Sequence, residues 1–522
     1  MNRLLGFCTS FIGLVCFAIV LAFYNIADGD LWARLAVGAC FWNTGSLWFH
    51  DVFAFTQTLP HWIDHEWGAG VLYFYILKIS GSTGLMVAKI VLGLSALALP
   101  LYVARRQGAM MSSVLFIAIP AAWTILPGYG LVIRSHALTY VLFGLTLLIM
   151  QIGATRPRWF WLLPFVMLFW ANVHGGFVTG FAVMACYGIR FWDVDRPSQW
   201  RLFFVTALLS CVGVSLINPY GIDFWSYLLS ALLHPRPRIV EWAPMPFWGW
   251  DVFTGYRVFF VLAVIILIAG WRQTDSRARW RSLPGLLLLM LTATAAWQHC
   301  RHAPFFSIAA CAVLPAYLDA ALAPLIARFS NRMHYVRVMN LAVFLLYAVV
   351  AGVTFNIVLP LASLNVLAPV GFYPVRECDI LSRSGISGNV VVPFDWGSYA
   401  AWRLYPKVKV SIDGRYEETY PESTFEMNVR FFNKEGSDWS KLVQDNVVNF
   451  VMVDKRHTNL VESDLVNLGF VRVWSSFPSE LWARPEMVPL LQQTVESLPE
   501  VTIQPLDAAI VNSWPWPSIA KP

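Results

Sequence analysis

The chain has 522 residues, of which 57% are hydrophobic and only 13% charged, against about 25% charged in an ordinary soluble domain. That balance excludes a wholly soluble fold, and the net charge of +6 does not mark a nucleic-acid binder. The arginines fall in short loops between apolar runs rather than along one stripe, and most of the 8 cysteines lie inside apolar runs, leaving no disulfide framework or zinc knuckle.

The first apolar run, residues 4–24, follows Arg3 and is long for a signal-peptide core, so it reads as an uncleaved first span. Further spans are expected near 66–80, 84–104, 109–127, 136–154, 159–172, 175–191, 202–218, 255–271, 283–299, 303–324 and 338–358. Placing the arginine-rich loops at 105–106, 156–158, 190–201, 272–281 and 328–337 on the cytoplasmic side orients these spans by simple alternation. It puts loop 25–65, Arg134, the 172–176 turn, loop 218–254, Arg301 and everything after 358 outside. The short run at 66–80 breaks the alternation if it crosses fully, so about 11 to 13 crossings are expected, with eleven fitting the charges best.

After residue 360 the character changes. Short Val-rich runs at 389–393, 408–412, 448–453 and 470–474 alternate with helical patterns at 421–433, 437–445 and 459–468. That order predicts a small α/β domain with a partly parallel sheet. The fold class is therefore a polytopic α-helical membrane domain (1–360) with a C-terminal extracytoplasmic α/β domain (361–485), followed by a loosely packed extension (486–522).

Several polar groups stand out against this background. Loop 25–65 carries Asp28 and Asp30 at the end of the first span, and Asp64, His65 and Glu66 lead into the next apolar segment. Two carboxylate groups at one membrane depth can bind a divalent cation such as Mg or Mn, or supply a general base. Arg134, Arg301 and His302 lie on the outer side, where they form a candidate phosphate clamp or act as snorkelling interfacial residues. "WANVHGGFV" (170–178) places Asn172 and His174 inside an uncharged stretch from 159 to 189. Such groups bond between helices or line a cavity wall. Glu241 and Trp242 belong to an aromatic loop that is either a sugar-binding surface or an interfacial belt. In the C-terminal domain, "VPFDWGSYAAW" and "KVSIDGRYEETYP" carry Asp395, Asp413 and Arg415, which either pair to order their loops or line an acceptor cleft.

In chain order, "DGDLWARLAVG", "WIDHEW", "WANVHGG", "NPYG", "EW", "RHAPFF" and "WGSY…IDGR" resemble the GT-C class of membrane glycosyltransferases over residues 20–485. That class includes protein O-mannosyltransferases, lipid A aminoarabinose transferases and oligosaccharyltransferase catalytic subunits, and the resemblance is to an uncharacterised bacterial branch. It implies a polyprenyl-phosphate sugar donor and inverting transfer to an extracytoplasmic glycan, lipid or protein acceptor. It also implies residence in the bacterial inner membrane with a cytoplasmic N-terminus, and a metal that is optional. The position of Asp28 and Asp30 matches the catalytic acid of the class, and Asp64 or Glu66 matches its second acidic motif more loosely. "FDWGSY" lacks the first Trp of the oligosaccharyltransferase Trp-Trp-Asp motif, so peptide-sequon recognition is not implied. The competing readings are a transporter or lipid-handling protein of polysaccharide export, and a non-catalytic membrane subunit. The chain shows no internal duplication, and its acids sit at loop edges rather than mid-span, which weighs against transport.

Overall fold

A computed structural model describes residues 2–126, 133–192, 198–233, 236, 239–274, 276–328, 332–498 and 503–505. Of the expected extension, 499–502 and 506–522 therefore lie outside the described residues. In chain order the helices of the apolar part are α1 (Asn2–Phe23), α2 (Gly29–Thr44), α3 (Trp67–Arg106), α4 (Met111–Ile125), α5 (His136–Gly153), α6 (Leu163–Val173), α7 (Val178–Gly188), α8 (Ser198–Ser215), α9 (Ile222–Leu233), α10 (Thr254–Gln273), α11 (Ser276–Gln298), α12 (Ala303–Arg328) and α13 (Arg332–Val353). The chain divides into two compact units, one made of 1–25 and 86–364, the other of 26–85 and 365–522.

Among the described residues of the first unit, every regular element is a helix. Across the described chain, six helices are long and apolar enough to cross a membrane, and shorter apolar helices occupy Met111–Ile125, Gly175–Gly188 and Ile222–Leu232. The protein is a multi-pass membrane protein. The stretch read as two spans at 159–172 and 175–191 forms α6 and α7, each of 11 residues. Each is only about 16 Å long, roughly half of a bilayer core. Tighter 3-10 turns at Pro157–Leu162 and Ile189–Trp192 extend the two outward. Within this unit α12 packs against α4, α10 and α11, and α1 packs against α13.

The second unit joins the loop after α1 to the C-terminal region. Its later elements are β1 (Leu367–Pro369), α14 (Val375–Ser384), β2 (Gly388–Val391), α15 (Phe394–Leu404), β3 (Val408–Val410), α16 (Tyr416–Thr419), α17 (Glu422–Asn433), α18 (Lys441–Gln444), β4 (Phe450–Asp454), α19 (Glu462–Asn467), β5 (Val471–Ser476), β6 (Ser479–Ala483), α20 (Val488–Ser497) and β7 (Ile503–Pro505). The main sheet has the order β3-β2-β4-β6-β5. β2 is parallel to both β3 and β4, whereas β6 is antiparallel to β4 and β5. The expected partly parallel α/β domain is thus present. β4 and β6 are buried at every position, as befits central strands.

Loop 26–66 is part of this unit's framework rather than a free excursion. Ala54 bridges Val410, with backbone bonds of 3.0 Å in both directions between Val410 and residues 53 and 55. That pairing covers the exposed edge of β3. The Ala27 N–H donates to the Leu367 carbonyl at 2.9 Å, and Leu59 donates to Thr419 at 2.8 Å. Ten consecutive residues of α2, Leu31 to Cys40, are buried, so this helix is core on all sides. It packs on α15 and approaches the first arm of α3 closely at Gly38 and Gly70. A Cβ on Gly38 would lie 2.3 Å from the Gly70 carbonyl oxygen, and one on Gly70 would lie 2.6 Å from that of Arg34. Only glycine fits a crossing that tight. α3 is broken at Gly81, whose φ of +63° and ψ of −164° no helix accommodates.

Candidate active site

The Asp28-Gly29-Asp30 segment is held at the N-terminus of α2. Asp28 is the N-cap, and its carboxylate accepts the Asp30 N–H at 3.0 Å. Asp30 lies in the first turn. Both are half-buried. The helix end favours negative charge at both positions. Trp32 locks this segment in place, with its ring edge-on to Tyr373 (5.4 Å) and Tyr399 (4.9 Å). The Tyr373 hydroxyl donates to the Ala27 carbonyl at 2.7 Å. These contacts connect "DLW" with "WGSY", two motifs far apart in the sequence.

The residues around Asp28 and Asp30 come from the C-terminal ends of the parallel strands. The chain leaving β2 enters α15 with Asp395 in its first turn, and the Asp395 carbonyl lies 4.0 Å from the Cβ position of Gly29. The chain leaving β3 makes the Asp413-Gly414 turn, where the Cβ position of Gly414 is 3.4 Å from Asp30 Oδ1. Gly397 allows this approach, since a Cβ there would meet the Ile412 carbonyl at 1.9 Å. β2 connects to β3 on one side and has β4 on the other, a strand-order reversal of the kind that opens a crevice at the carboxyl ends of a parallel sheet. Asp395 reaches solvent there. The surrounding protein, with the Asp454 and Asp28 carboxylates, pushes its carboxyl above the usual range, and His457 opposes them.

The Asp64-His65-Glu66 group is built around Arg34, a residue the sequence reading did not single out. The Arg34 guanidinium donates to Asp64 Oδ1 and sits 3.5 Å from Glu66 and 3.7 Å from Glu418. His65 Nδ1 lies 2.9 Å from Glu418 Oε1, and its other ring nitrogen is 3.6 Å from Glu66. Burial works against a charged imidazole, but Glu418 and then Glu66 outweigh it and push His65 up to about 9. Asp64 and Glu66 are therefore both engaged with a fixed guanidinium.

Asp413 and Arg415, considered as acceptor-cleft residues, are instead buried at 1% and 3% exposure and do not face an open cleft. Arg415 donates to Asp413 through Nε (2.8 Å) and Nη2 (2.6 Å) and to Asp51 through Nη2 (2.5 Å). Its guanidinium lies 4.9 Å from the Phe53 ring and 4.5 Å from that of Trp62. Asp413 is held below the usual carboxylate range because Arg415 and the Tyr420 hydroxyl outweigh its burial. The pair ties loop 51–62 to the IDGR turn, leaving Asp395 as the solvent-reaching member of the three.

In the first unit the cationic group centres on Glu241. Its Oε2 accepts from Arg134 Nη1 at 3.0 Å, and its Oε1 lies 3.4 Å from Arg301 Nη1. All three side chains are about 18% exposed. The Trp242 ring is flanked by the guanidiniums of Arg236 (4.2 Å) and Arg301 (4.4 Å), and its carbonyl meets His299 Nδ1 at 2.6 Å. His302 lies edge-on to Trp242 at 6.1 Å. Arg301 also bonds to His136 Nε2, and the His136 ring is 4.5 Å from that of His174.

His174 caps the short turn that follows α6. Its Nδ1 accepts from the Gly176 N–H at 2.7 Å and meets Thr139 Oγ1 at 2.9 Å. A Cβ on Gly176 would stand 2.6 Å from that nitrogen, which explains the second glycine of the motif. Asn172 donates to the Leu168 (2.9 Å) and Ile217 (2.8 Å) carbonyls, tying α6 to the end of α8. Of the residues missed by sequence reading, Arg34 had the clearest signal, a charge in the middle of the apolar run "LWARLAVG". Glu418 and His136 had none, because their partners are remote in the chain.

No protein-family model matches the sequence, and no curated protein sequence does either. Solved structures do match. An archaeal oligosaccharyltransferase, AglB from Archaeoglobus fulgidus, in complex with an inhibitory peptide and a dolichol-phosphate, superposes with a TM-score of 0.55 at 13% identity, over 96% of this chain and 76% of that one. The mycobacterial arabinofuranosyltransferase AftD gives 0.54 at 14% identity, over 92% of this chain and 41% of that one. ArnT from Cupriavidus metallidurans in the apo state gives 0.51 at 13% identity, over 94% and 98%. The chain has the GT-C fold of these membrane glycosyltransferases.

Proposed function

We propose that the protein is an inverting glycosyltransferase of the bacterial inner membrane, taking its sugar from a polyprenyl-phosphate donor. The observation that carries this reading is the fixed Asp28-Gly29-Asp30 segment directly after the first apolar helix, in a chain of GT-C fold. One of the two carboxylates takes the proton from an acceptor hydroxyl. The acceptor oxygen forms its bond to the anomeric carbon as the bond from that carbon to the phosphate oxygen breaks. The polyprenyl phosphate leaves with the electron pair, and Arg134 and Arg301 stabilise the charge it gains. Asp395, at the carboxyl edge of the parallel strands, contacts the acceptor, which is a glycan, lipid or protein. His302, Trp242 and His174 shape the surroundings of the two arginines. The arginine-rich loops support a cytoplasmic N-terminus and an extracytoplasmic α/β region.

The test is sugar transfer by purified protein from labelled polyprenyl-phosphate sugars. Asp28→Asn or Asp30→Asn is expected to lower turnover by about 10²-fold or more. Undiminished turnover in both variants overturns the assignment of the base, and solute uptake into proteoliposomes with no donor consumed overturns the transferase reading.

A further inference from the structure

Glu241 stands where an anionic ligand of the two arginines would stand. Its two oxygens are divided between Arg134 and Arg301, so the guanidiniums are spaced for an anion that offers one oxygen to each. Arg301 does not depend on Glu241 for its position, because the Trp242 ring and His136 hold it from other directions. Trp242 is held in turn by Arg236 and His299. Glu241 itself lies on a single 3-10 turn, Val240–Trp242, with its side chain partly open to solvent. The phosphodiester of a polyprenyl-phosphate sugar carries one negative charge on two unbridged oxygens, as a carboxylate does, so it matches the carboxylate's place on the two guanidiniums, and its sugar and lipid tail add contacts that Glu241 lacks.

Resting on the donor reading given above, we infer that Glu241 is a resident counter-ion, displaced by the phosphate of the incoming donor and competing with the spent polyprenyl phosphate for the same two arginines until the product leaves. The carboxylate keeps the two like charges paired between turnovers. It also lowers affinity for the product, a phosphate monoester that gains charge and a third unbridged oxygen when the sugar leaves. Glu241 is a positioning residue in this scheme and makes or breaks no bond.

The test measures binding of a short-chain prenyl monophosphate to the full-length protein in detergent, for wild type, Glu241→Gln, Glu241→Asp, Arg134→Gln and Arg301→Gln. Glu241→Gln keeps the shape and removes the competing charge, so binding is expected to tighten at least fivefold, with stronger product inhibition of transfer. Glu241→Asp keeps the charge but is too short to span both guanidiniums, and is expected to fall between wild type and Gln. It serves as the deciding variant if Glu241→Gln does not fold. Each arginine variant is expected to weaken binding at least tenfold. Weaker binding in both arginine variants, with no tightening in either Glu241 variant, overturns the counter-ion role and leaves the donor site standing. Unchanged binding in the arginine variants overturns the donor site and the counter-ion role together.

Discussion

Arg34 buries its guanidinium against Asp64, thirty residues further along the chain, with both side chains at 4% exposure or less. Glu66 and Glu418 share the same guanidinium, so one cation answers three carboxylates in a dry setting. Removing it leaves buried charge uncompensated, a loss of about 3–5 kcal/mol. Arg34→Met is therefore expected to lower the thermal midpoint sharply, whereas Asp64→Asn, which keeps a hydrogen-bonding oxygen beside Arg34, costs less. Circular dichroism melts of the two variants check the order.

The His65–Glu418 pair makes stability depend on pH. The folded-state imidazole titrates near 9, above the value of about 6.5 in an unfolded chain. Its contribution is complete below pH about 6.5 and is lost as pH rises through about 9, an effect of order 1–3 kcal/mol. Thermal midpoints are expected to fall between pH 7 and 9.5, and His65→Gln should flatten that slope. A slope unchanged in the variant places its source elsewhere.

Glu377 gives a slope of the same sign over a lower range. It is 1% exposed in α14, and burial pushes it up to about 6 despite a 2.5 Å hydrogen bond from Ser479. Its folded-state value exceeds the unfolded one, so stability present below about pH 4.5 is lost as pH rises through 6. Glu377→Gln is expected to raise stability by about 1–2 kcal/mol at pH 8 and to change little at pH 5. Differential scanning at the two pH values distinguishes this from a simple packing effect.

The Gly38–Gly70 crossing sets a steric limit. Gly38→Val drives a side chain into a backbone carbonyl that cannot rotate away, at a cost in the upper part of about 1–3 kcal/mol. Gly213→Ala in α8 meets nothing within 4 Å and serves as the control. It is expected to be neutral or to stabilise by up to about 1 kcal/mol. Equal melting of the two variants would mean that α2 and α3 separate more easily than their contact implies.

Long apolar periodicity made most of the first unit legible in the sequence. Expected spans at 84–104, 136–154, 255–271 and 303–324 coincide with helices. The Val-rich runs at 389–393, 408–412 and 448–453 coincide with β2, β3 and β4. α2 was not legible as a core helix, because its polar flanks look like an amphipathic loop and its burial depends on α15, more than 350 residues later. β6 escaped notice for a related reason. Ser479 and Glu480 look like turn residues, and only their bonds to Glu377 and Lys455 make them compatible with a central strand. The acids of the candidate site could be found from their position after the first span, but their partners could not. Ion pairs such as Asp51 with Arg415, 364 positions apart, leave no periodic trace.

The second unit is assembled from two stretches that the ribosome delivers far apart in time. Residues 26–85 emerge early, and the aromatic partners of Trp32, with the Glu418 partner of Arg34, belong to the stretch from 365 that begins roughly 280 residues later, tens of seconds at about 5–20 residues per second. Throughout that interval the nascent loop carries the Trp32 ring without Tyr373 and Tyr399 to pack on, and an Arg34 guanidinium that has Asp64 and Glu66 within reach but not Glu418. Truncation anywhere before the sheet is complete would strand this loop, so proteolytic surveillance of unfinished chains should strike first between Asn25 and Trp67.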